Sequence, residues 1–377
     1  MLRTVTRIPL AFLFLFTGFL LIPDQALATY PNGEPDQIPP PNESLVLRKI
    51  ISNRKLSPKS IVHSGTGRFF AQNMMYNHSI SVYDRNYNLV RTISDKVNMS
   101  DYRVDGYYGI KEGAPVEAAF SHSGQYAWIS NYRMYGKGFD NPGTDNCAIK
   151  KNYDRGFLYR INTMSLKIES VIEVGCVPKY VAVSPDNRLV LVTNWCSGDV
   201  SVVDVEMQKE VKRVDIGKYP RGIVIDSKAR YAYISVMGED KIAVLKLSDY
   251  SLSWIDDIGD TPRHLCLGVN DRYLYVSLDR EGAVKKLDLI NGEVVKTTPT
   301  GQSPRSMVMS DGGRFLYVVN YASNSLTKLE TATMKEVQTI DTYGKPIGVT
   351  FDPETRTVWV ACYSGTIMVF EDTEYQP

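Results

Sequence analysis

Five prolines stand at one fixed interval: Pro178, Pro220, Pro262, Pro304 and Pro346 are each 42 residues apart. Gly175, Gly217, Gly259 and Gly301 precede the first four by three positions, and Lys179, Arg221, Arg263 and Arg305 follow them directly. Ten residues after the prolines come Arg188, Arg230, Arg272, Arg314 and Arg356. Such a period constrains the fold strongly, because each unit must be one supersecondary element that buries its apolar faces against its neighbours. Two earlier units join the frame when insertions are allowed. Pro58 is followed by Lys59 and Arg68, Pro115 has Gln125 at the tenth position, and the gaps of 57 and 63 exceed 42 by 15 and 21. The chain thus holds seven units.

Each unit parses into four short strands. In the third unit, 179–184 alternates into strand A, Pro185-Asp186-Asn187 turns, and 189–194 is strand B. Ser197-Gly198-Asp199 turns again, 200–204 is strand C, and 211–216 is strand D. Four strands per 42 residues is the spacing of a propeller blade. The expected fold class is therefore all-β, a seven-bladed β-propeller, and the 24 tyrosines suit its half-buried strands. The last unit supplies strands A (347–351), B (357–361) and C (366–370) but no strand D. Residues 45–51 (LVLRKII) precede Pro58 much as 293–298 precede Pro304. This N-terminal strand is expected to join the C-terminal blade and close the ring, because unpaired sheet edges invite aggregation.

Strand B reads Val192-Thr193-Asn194-Trp195 and Val318-Val319-Asn320-Tyr321. Together with Gly-x-x-Pro-Arg, Ser184-Pro185-Asp186-Asn187-Arg188 and Val200-Ser201-Val202-Val203-Asp204, this resembles the YVTN-repeat propellers, including the YncE-like periplasmic proteins. The resemblance covers roughly residues 45–371 and is best in units three to six; unit five has Ser277-Leu278 where Thr-Asn would stand. It implies the propeller fold and names no activity, because this architecture hosts many.

Residues 1–28 read as a signal peptide. Arg3 and Arg7 precede an uncharged apolar run from Ile8 to Ile22, short for a membrane span, and Ala26-Leu27-Ala28 is a small-residue cleavage site. No Cys follows the run, so a lipid anchor is not expected. Residues 29–43 are a Pro-rich linker, and 44–377 form the propeller. The expected location is periplasmic or secreted, with no membrane span after cleavage. Cleavage removes Arg3, Arg7 and Asp24, which brings Lys+Arg from 43 and Asp+Glu from 42 to 41 each. A net charge of about zero gives no support to nucleic acid or anionic membrane as partner.

Strand direction puts the D-to-A and B-to-C connections on one face, the top. The insertions within Ser94–Ala114 and Arg133–Tyr153 both fall there, and long loops on a rigid scaffold are where function concentrates. Lys59, Lys179, Arg221, Arg263 and Arg305 are expected to ring the channel mouth and to favour a carboxylate, a phosphate or a nucleic-acid backbone. Tyr132, Trp195, Tyr321 and Tyr363 follow strand B and are placed to stack on sugars or bases, with Tyr102, Tyr107, Tyr108, Tyr135, Phe139 and Tyr153 added by the insertions. The alternative is a solvated rim, or pairing of the bases with inter-blade acids. The arginines at the tenth position fall on the opposite, bottom turn and are expected to span adjacent blades.

Among the histidines His63, His78, His122 and His264, no pair has metal-ligand spacing, and no cofactor or metal is expected. His264 and Glu117 occupy the same unit position and are the candidates for an acid and base pair. Cys176 and Cys196 stand symmetrically about the Pro185–Asn187 turn and are the expected disulfide, with Cys147 the competitor; Cys266 and Cys362 read as buried thiols. The expected function is an exported, monomeric, non-enzymatic binding protein for a protein, glycan or anionic polymer or other anionic ligand. The alternative is a lactonase- or lyase-type enzyme at the channel mouth.

Overall fold

The computed structural model describes residues 44–74, 77–132, 147 and 153–374. The segments read as signal peptide and linker, and most of the second insertion with Tyr135 and Phe139, lie outside them. Seven four-stranded antiparallel sheets follow one another along the chain. The strand limits found in the third, Pro178–Val183, Leu189–Asn194, Asp199–Asp204 and Lys209–Asp215, lie within two residues of those read from the repeat.

The first strands of the blades line a ring. Pro58–His63, Ala114–Phe120, Pro178–Val183, Pro220–Ile225, Pro262–Leu267, Pro304–Met309 and Pro346–Asp352 each touch the next, and the last touches the first. The repeat proline has a physical reason: it opens strand A in six of the seven, where its missing N–H withdraws little from the ladder. Every one of the seven strands then carries a register shift within three residues of that proline, a β-bulge. A bulge bends its strand and re-aims a side chain, so the residues just after the proline are turned from the ladder towards the channel.

Seven apolar clusters, one at each blade interface, hold the ring together. Between blades three and four, Leu191, Val200 and Val202 meet Ile223, Ile234 and Val236. Between blades seven and one, the Phe69 and Trp359 rings stack with centroids 3.8 Å apart. Non-directional burial of this kind is the main favourable term in folding.

Closure is as expected. Leu45–Ser52 pairs antiparallel with Thr366–Asp372, in the register Leu45↔Asp372 to Ser52↔Thr366. Blade six adds a side-chain latch. Gln338 Oε1 accepts the backbone N–H groups of Ser44 (3.0 Å) and Leu45 (2.9 Å). Lys328 Nζ donates to Asp372 Oδ1 at 2.8 Å, with both side chains fully buried, and Tyr317 donates its hydroxyl to the same carboxylate.

The first insertion has structure of its own, and two expectations need correction. The first insertion forms a small sheet (Val97–Asn98 with Ile110–Lys111) and one helical turn, Met99–Tyr102. Its Val97 and Met99 pack on Phe157, Tyr159 and Val171 of blade two's outer strands, because those side chains offer an apolar shelf. The tenth-position arginines do not bridge blades. Arg230 pairs with Asp226 (3.0 Å) and Arg272 with Asp288 (2.9 Å), each within its own blade, because the partner lies across the adjoining turn. An ionic bridge between blades on that face comes from Arg85, which reaches Asp352 of blade seven at 2.7 Å.

The second correction is the disulfide. Cys147 pairs with Cys196, and Cys176 is a free, buried thiol. Cys176 and Cys196 are cross-strand neighbours as expected, since the Cys196 N–H donates to the Cys176 carbonyl at 3.1 Å. The Cys176 thiol, however, is directed to the Tyr153 carbonyl (3.3 Å), which leaves the Cys196 sulfur to the second insertion. Cys266 and Cys362 are free.

Candidate functional site

Two consecutive rings of side chains meet in the upper channel. The position after the repeat proline supplies Lys59, Lys179, Arg221, Arg263 and Arg305, with Val116 and Ile347 in the other two blades. The next position supplies Ser60, Glu117, Tyr180, Gly222, His264, Ser306 and Gly348. The bulge in each strand turns both towards the axis. The bases are therefore not an exposed rim: Lys59, Arg221 and Arg263 are each 8% exposed and Lys179 1%.

Each base has its own surroundings. Lys179 sits over the Tyr132 ring at 4.7 Å from its centroid. Arg263 pairs with Asp279 at 3.0 Å, and Arg305 lies 3.4 Å from the same carboxylate and over the Tyr321 ring at 4.3 Å. Arg221 stands 5.9 Å from the Trp195 ring centroid. Among the described residues, the Lys59 ammonium and the Arg221 guanidinium make no hydrogen bond or ion pair. Burying a charge without a partner is costly, which sets these two apart.

The aromatic residues are less exposed than a stacking platform needs. Tyr132 is buried, and Trp195, Tyr321 and Tyr363 are half-buried. Tyr132 joins Met74, Ala114, Val116, Cys147, Cys176, Val177 and Cys196 in one apolar cluster, with Trp195, Tyr219 and Tyr363 packed against it. The Tyr219 hydroxyl donates to the Cys147 carbonyl at 2.8 Å, and the Trp195 and Tyr219 rings stack at 4.6 Å. The second insertion thus reaches the top of blades three and four through Cys147.

One level below the bases, Tyr180 of blade three and His264 of blade five are hydrogen-bonded, the His264 Nε2–H donating to the Tyr180 hydroxyl oxygen. The contact passes over Gly222 of blade four. A Cβ there would lie 2.7 Å from the Arg263 carbonyl oxygen, so only glycine lets the strands approach this closely. Gly348 does the same in blade seven, where a Cβ would lie 2.8 Å from the Ser60 Cα. His264 Nδ1 accepts the Met307 N–H at 3.4 Å, so both ring nitrogens are engaged. Burial, and then the charges of Arg221, Arg263 and Lys59, push the imidazole down to about 3, which keeps it neutral.

Glu117 and Lys59 face the opposite problem. Burial pushes the Glu117 carboxyl up to about 7, against the pull of Lys59, Ser60, the Ala118 N–H and Arg221. Burial also pushes Lys59 well below the usual lysine range, and Arg221 and Arg263 add to that. A carboxyl that titrates near neutrality beside an amine driven towards its neutral form is an arrangement often found at functional sites. A cavity of about 150 Å³ adjoins it, lined by Ser60, Glu117, Tyr180, Ser306, Gly348 and Thr350 among others. It runs along strand A on the side of the bases away from the insertions.

Comparison with known proteins follows this geometry. Residues 210–369 match the family model described as YNCE-like beta-propeller. The resemblance read from the repeat is borne out. The YNCE-like match runs from strand D of blade three to strand C of blade seven, and therefore takes in Arg221, His264 and Arg305. Lys59, Glu117 and Cys147 stand outside the matched span. No curated protein matches the chain. Among solved structures, a chain titled Kuenenia stuttgartiensis Hydrazine Synthase is similar at a TM-score of 0.66 and 14% identity, covering 86% of this chain and 97% of that one. At that identity the likeness shows the fold alone. Among the described residues, no group of three His, Cys, Asp or Glu is placed to hold a metal, and no helix is long and apolar enough to cross a membrane.

Tyr180, Gly222 and Asp279 are site residues that the sequence did not single out. The signal for the first two was the column two after the proline, which already held Glu117 and His264. The signal for Asp279 was an acid in a column otherwise filled by Met74, Tyr132, Trp195, Met237, Tyr321 and Tyr363.

Proposed function

We propose that this protein is an exported binding protein that takes a small anion into its central channel, where Lys59 and Arg221 contact it. The observation that carries this reading is the buried Arg221 guanidinium, with the buried Lys59 amine on the same ring, neither having a hydrogen-bonded or ionic partner among the described residues. An anion between them would offset the cost of their burial through charge-assisted hydrogen bonds. Lys59, Lys179, Arg221 and Arg263 are each 8% exposed or less, which favours a small ligand over a glycan or a polymer. The burial of Tyr132 points the same way. A lactonase or lyase would need an acid and base pair, and His264, with both nitrogens engaged, is poorly suited to exchange a proton.

Thermal and urea unfolding in the presence of sulfate, phosphate, acetate or lactate tests the reading. At least one should stabilise the chain beyond chloride at equal ionic strength, as expected for a ligand that binds only the folded state. Arg221→Met should weaken that effect at least about tenfold in apparent affinity, as loss of a charge-assisted contact implies. No anion-specific stabilisation, or an unchanged effect in the variant, overturns it.

Export rests on the N-terminal segment, and the Cys147–Cys196 disulfide supports it, since such bonds persist in oxidising compartments. Protein recovered from the envelope or medium of its native host should begin near Thr29. Non-reducing peptide mapping of the same sample should show Cys147 linked to Cys196, with Cys176 alkylated only after unfolding. A retained N-terminus, or a Cys176–Cys196 link, contradicts the respective claim.

A further inference from the structure

Lys59 has a property that anion binding alone does not use. It is a primary amine, 8% exposed, on the same level of the channel as Arg221, Arg263 and Lys179, and its nitrogen is held by no hydrogen bond or ion pair among the described residues. Beside it stands Glu117, 7% exposed, whose Oε1 accepts the Ala118 N–H at 3.3 Å and which lines the cavity with Ser60 and Tyr180. A lysine crowded by other cations in a desolvated pocket is the arrangement that makes an amine nucleophilic towards carbonyl carbon. An amine, a fixed cation for a carboxylate and a proton-donating carboxyl together fit one ligand class. That class is a small acid with a carbonyl adjacent to its carboxylate.

We propose that Lys59 forms a reversible imine with a small α-oxo acid whose carboxylate is held by Arg221. The inference rests on the anion reading above and specifies the ligand. In the addition step, the Nζ lone pair forms a bond to the carbonyl carbon, and the C=O π pair moves to oxygen. That oxygen takes up a proton as the nitrogen loses one, giving the carbinolamine. In the second step the nitrogen lone pair forms C=N and the C–O bond breaks. The oxygen leaves as water with a proton from the Glu117 carboxyl, and the resulting iminium returns a proton to the carboxylate. One amine and one carbonyl are converted to one imine and one water, with no oxidant or reductant.

The neutral states this chemistry needs have the same physical cause. Burial drives the amine of Lys59 down and the carboxyl of Glu117 up to about 7, so it favours the neutral form of both groups. Arg221 keeps its charge throughout and serves as the fixed point for the carboxylate.

The test is reductive trapping on the folded mature chain. Pyruvate or glyoxylate is added with borohydride, and the adduct is located by intact mass and peptide mapping. A single dominant adduct at Lys59 is expected, lost in Lys59→Arg and reduced at least tenfold in Arg221→Met. Lactate, which has the carboxylate but no carbonyl, should compete with its formation. Stabilisation by lactate without any Lys59 adduct overturns the imine and leaves the anion site standing. Neither stabilisation nor adduct overturns both. Adducts spread over the surface lysines, with Lys59 no more labelled than the rest, also overturn the imine.

Discussion

Asp372→Ala should lower the unfolding free energy by about 3–5 kcal/mol, the usual consequence of leaving a buried charge without its partner. Asp372 lies at the end of the strand that receives Leu45–Ser52, and it accepts from Lys328 Nζ at 2.8 Å and from the Tyr317 hydroxyl. Lys328 and Tyr317 belong to blade six, so this one carboxylate ties blade six to blade seven at the seam of the ring. Lys328 also lies 3.2 Å from Glu374, but that side chain is half exposed and compensates poorly. Removing both charges, as Lys328→Met with Asp372→Leu, should recover most of the loss, because an apolar pair of similar volume avoids the desolvation cost. Urea unfolding at neutral pH reads both effects. A cost below about 1 kcal/mol for Asp372→Ala would mean the pair behaves like a solvated surface bridge, and the seam would then depend on strand pairing, the Gln338 latch and apolar packing.

How far the sequence reached can be judged from particular residues. The strands were legible because each blade repeats the same turn chemistry at a fixed period, and Pro178, Asp186 and Gly198 mark their ends locally. The closing strand was legible because the place of residues 45–51 before Pro58 and the missing fourth strand of the last unit point to each other. The insertions were not legible. Their packing depends on which apolar shelf is nearest in space, and nothing local in Val97 or Met99 names Phe157 and Tyr159 as the partners. The disulfide failed for a related reason. Cys176 and Cys196 were correctly placed as neighbours, but the direction of the Cys176 thiol towards Tyr153 is a matter of side-chain geometry. The bases were found, while their burial was not. Burial follows from the bulge in every first strand, which depends on pairing register, a long-range property.

The same burial makes a prediction about acid stability, and two neighbouring residues should answer with opposite signs. His264 is pushed down from 6.5 to about 3 by burial and by Arg221, Arg263 and Lys59. Between those values the folded chain binds fewer protons than the unfolded one, so stability is intact above about 6.5 and is lost as pH falls towards 3. At about 1.36 kcal/mol per pH unit, the whole window is worth on the order of 4 kcal/mol. Glu117 is pushed up from 4.5 to about 7, chiefly by burial. Between those values the folded chain binds more protons, so its contribution is present below about 4.5 and is lost as pH rises towards 7. His264→Gln should therefore gain on the parent chain as pH falls from about 6.5 to 4, whatever its cost at neutral pH. Glu117→Gln should lose ground to the parent as pH falls from about 7 to 4.5. Lys59, whose pKa burial also lowers, keeps Glu117 beside it in His264→Gln but loses that raising charge in Glu117→Gln, so the second comparison is made on a Lys59→Met background. Urea midpoints across that range give the two slopes. Parallel slopes, or none, would mean that the upper channel is open to water, and the unpartnered cations would then need no anion to explain them.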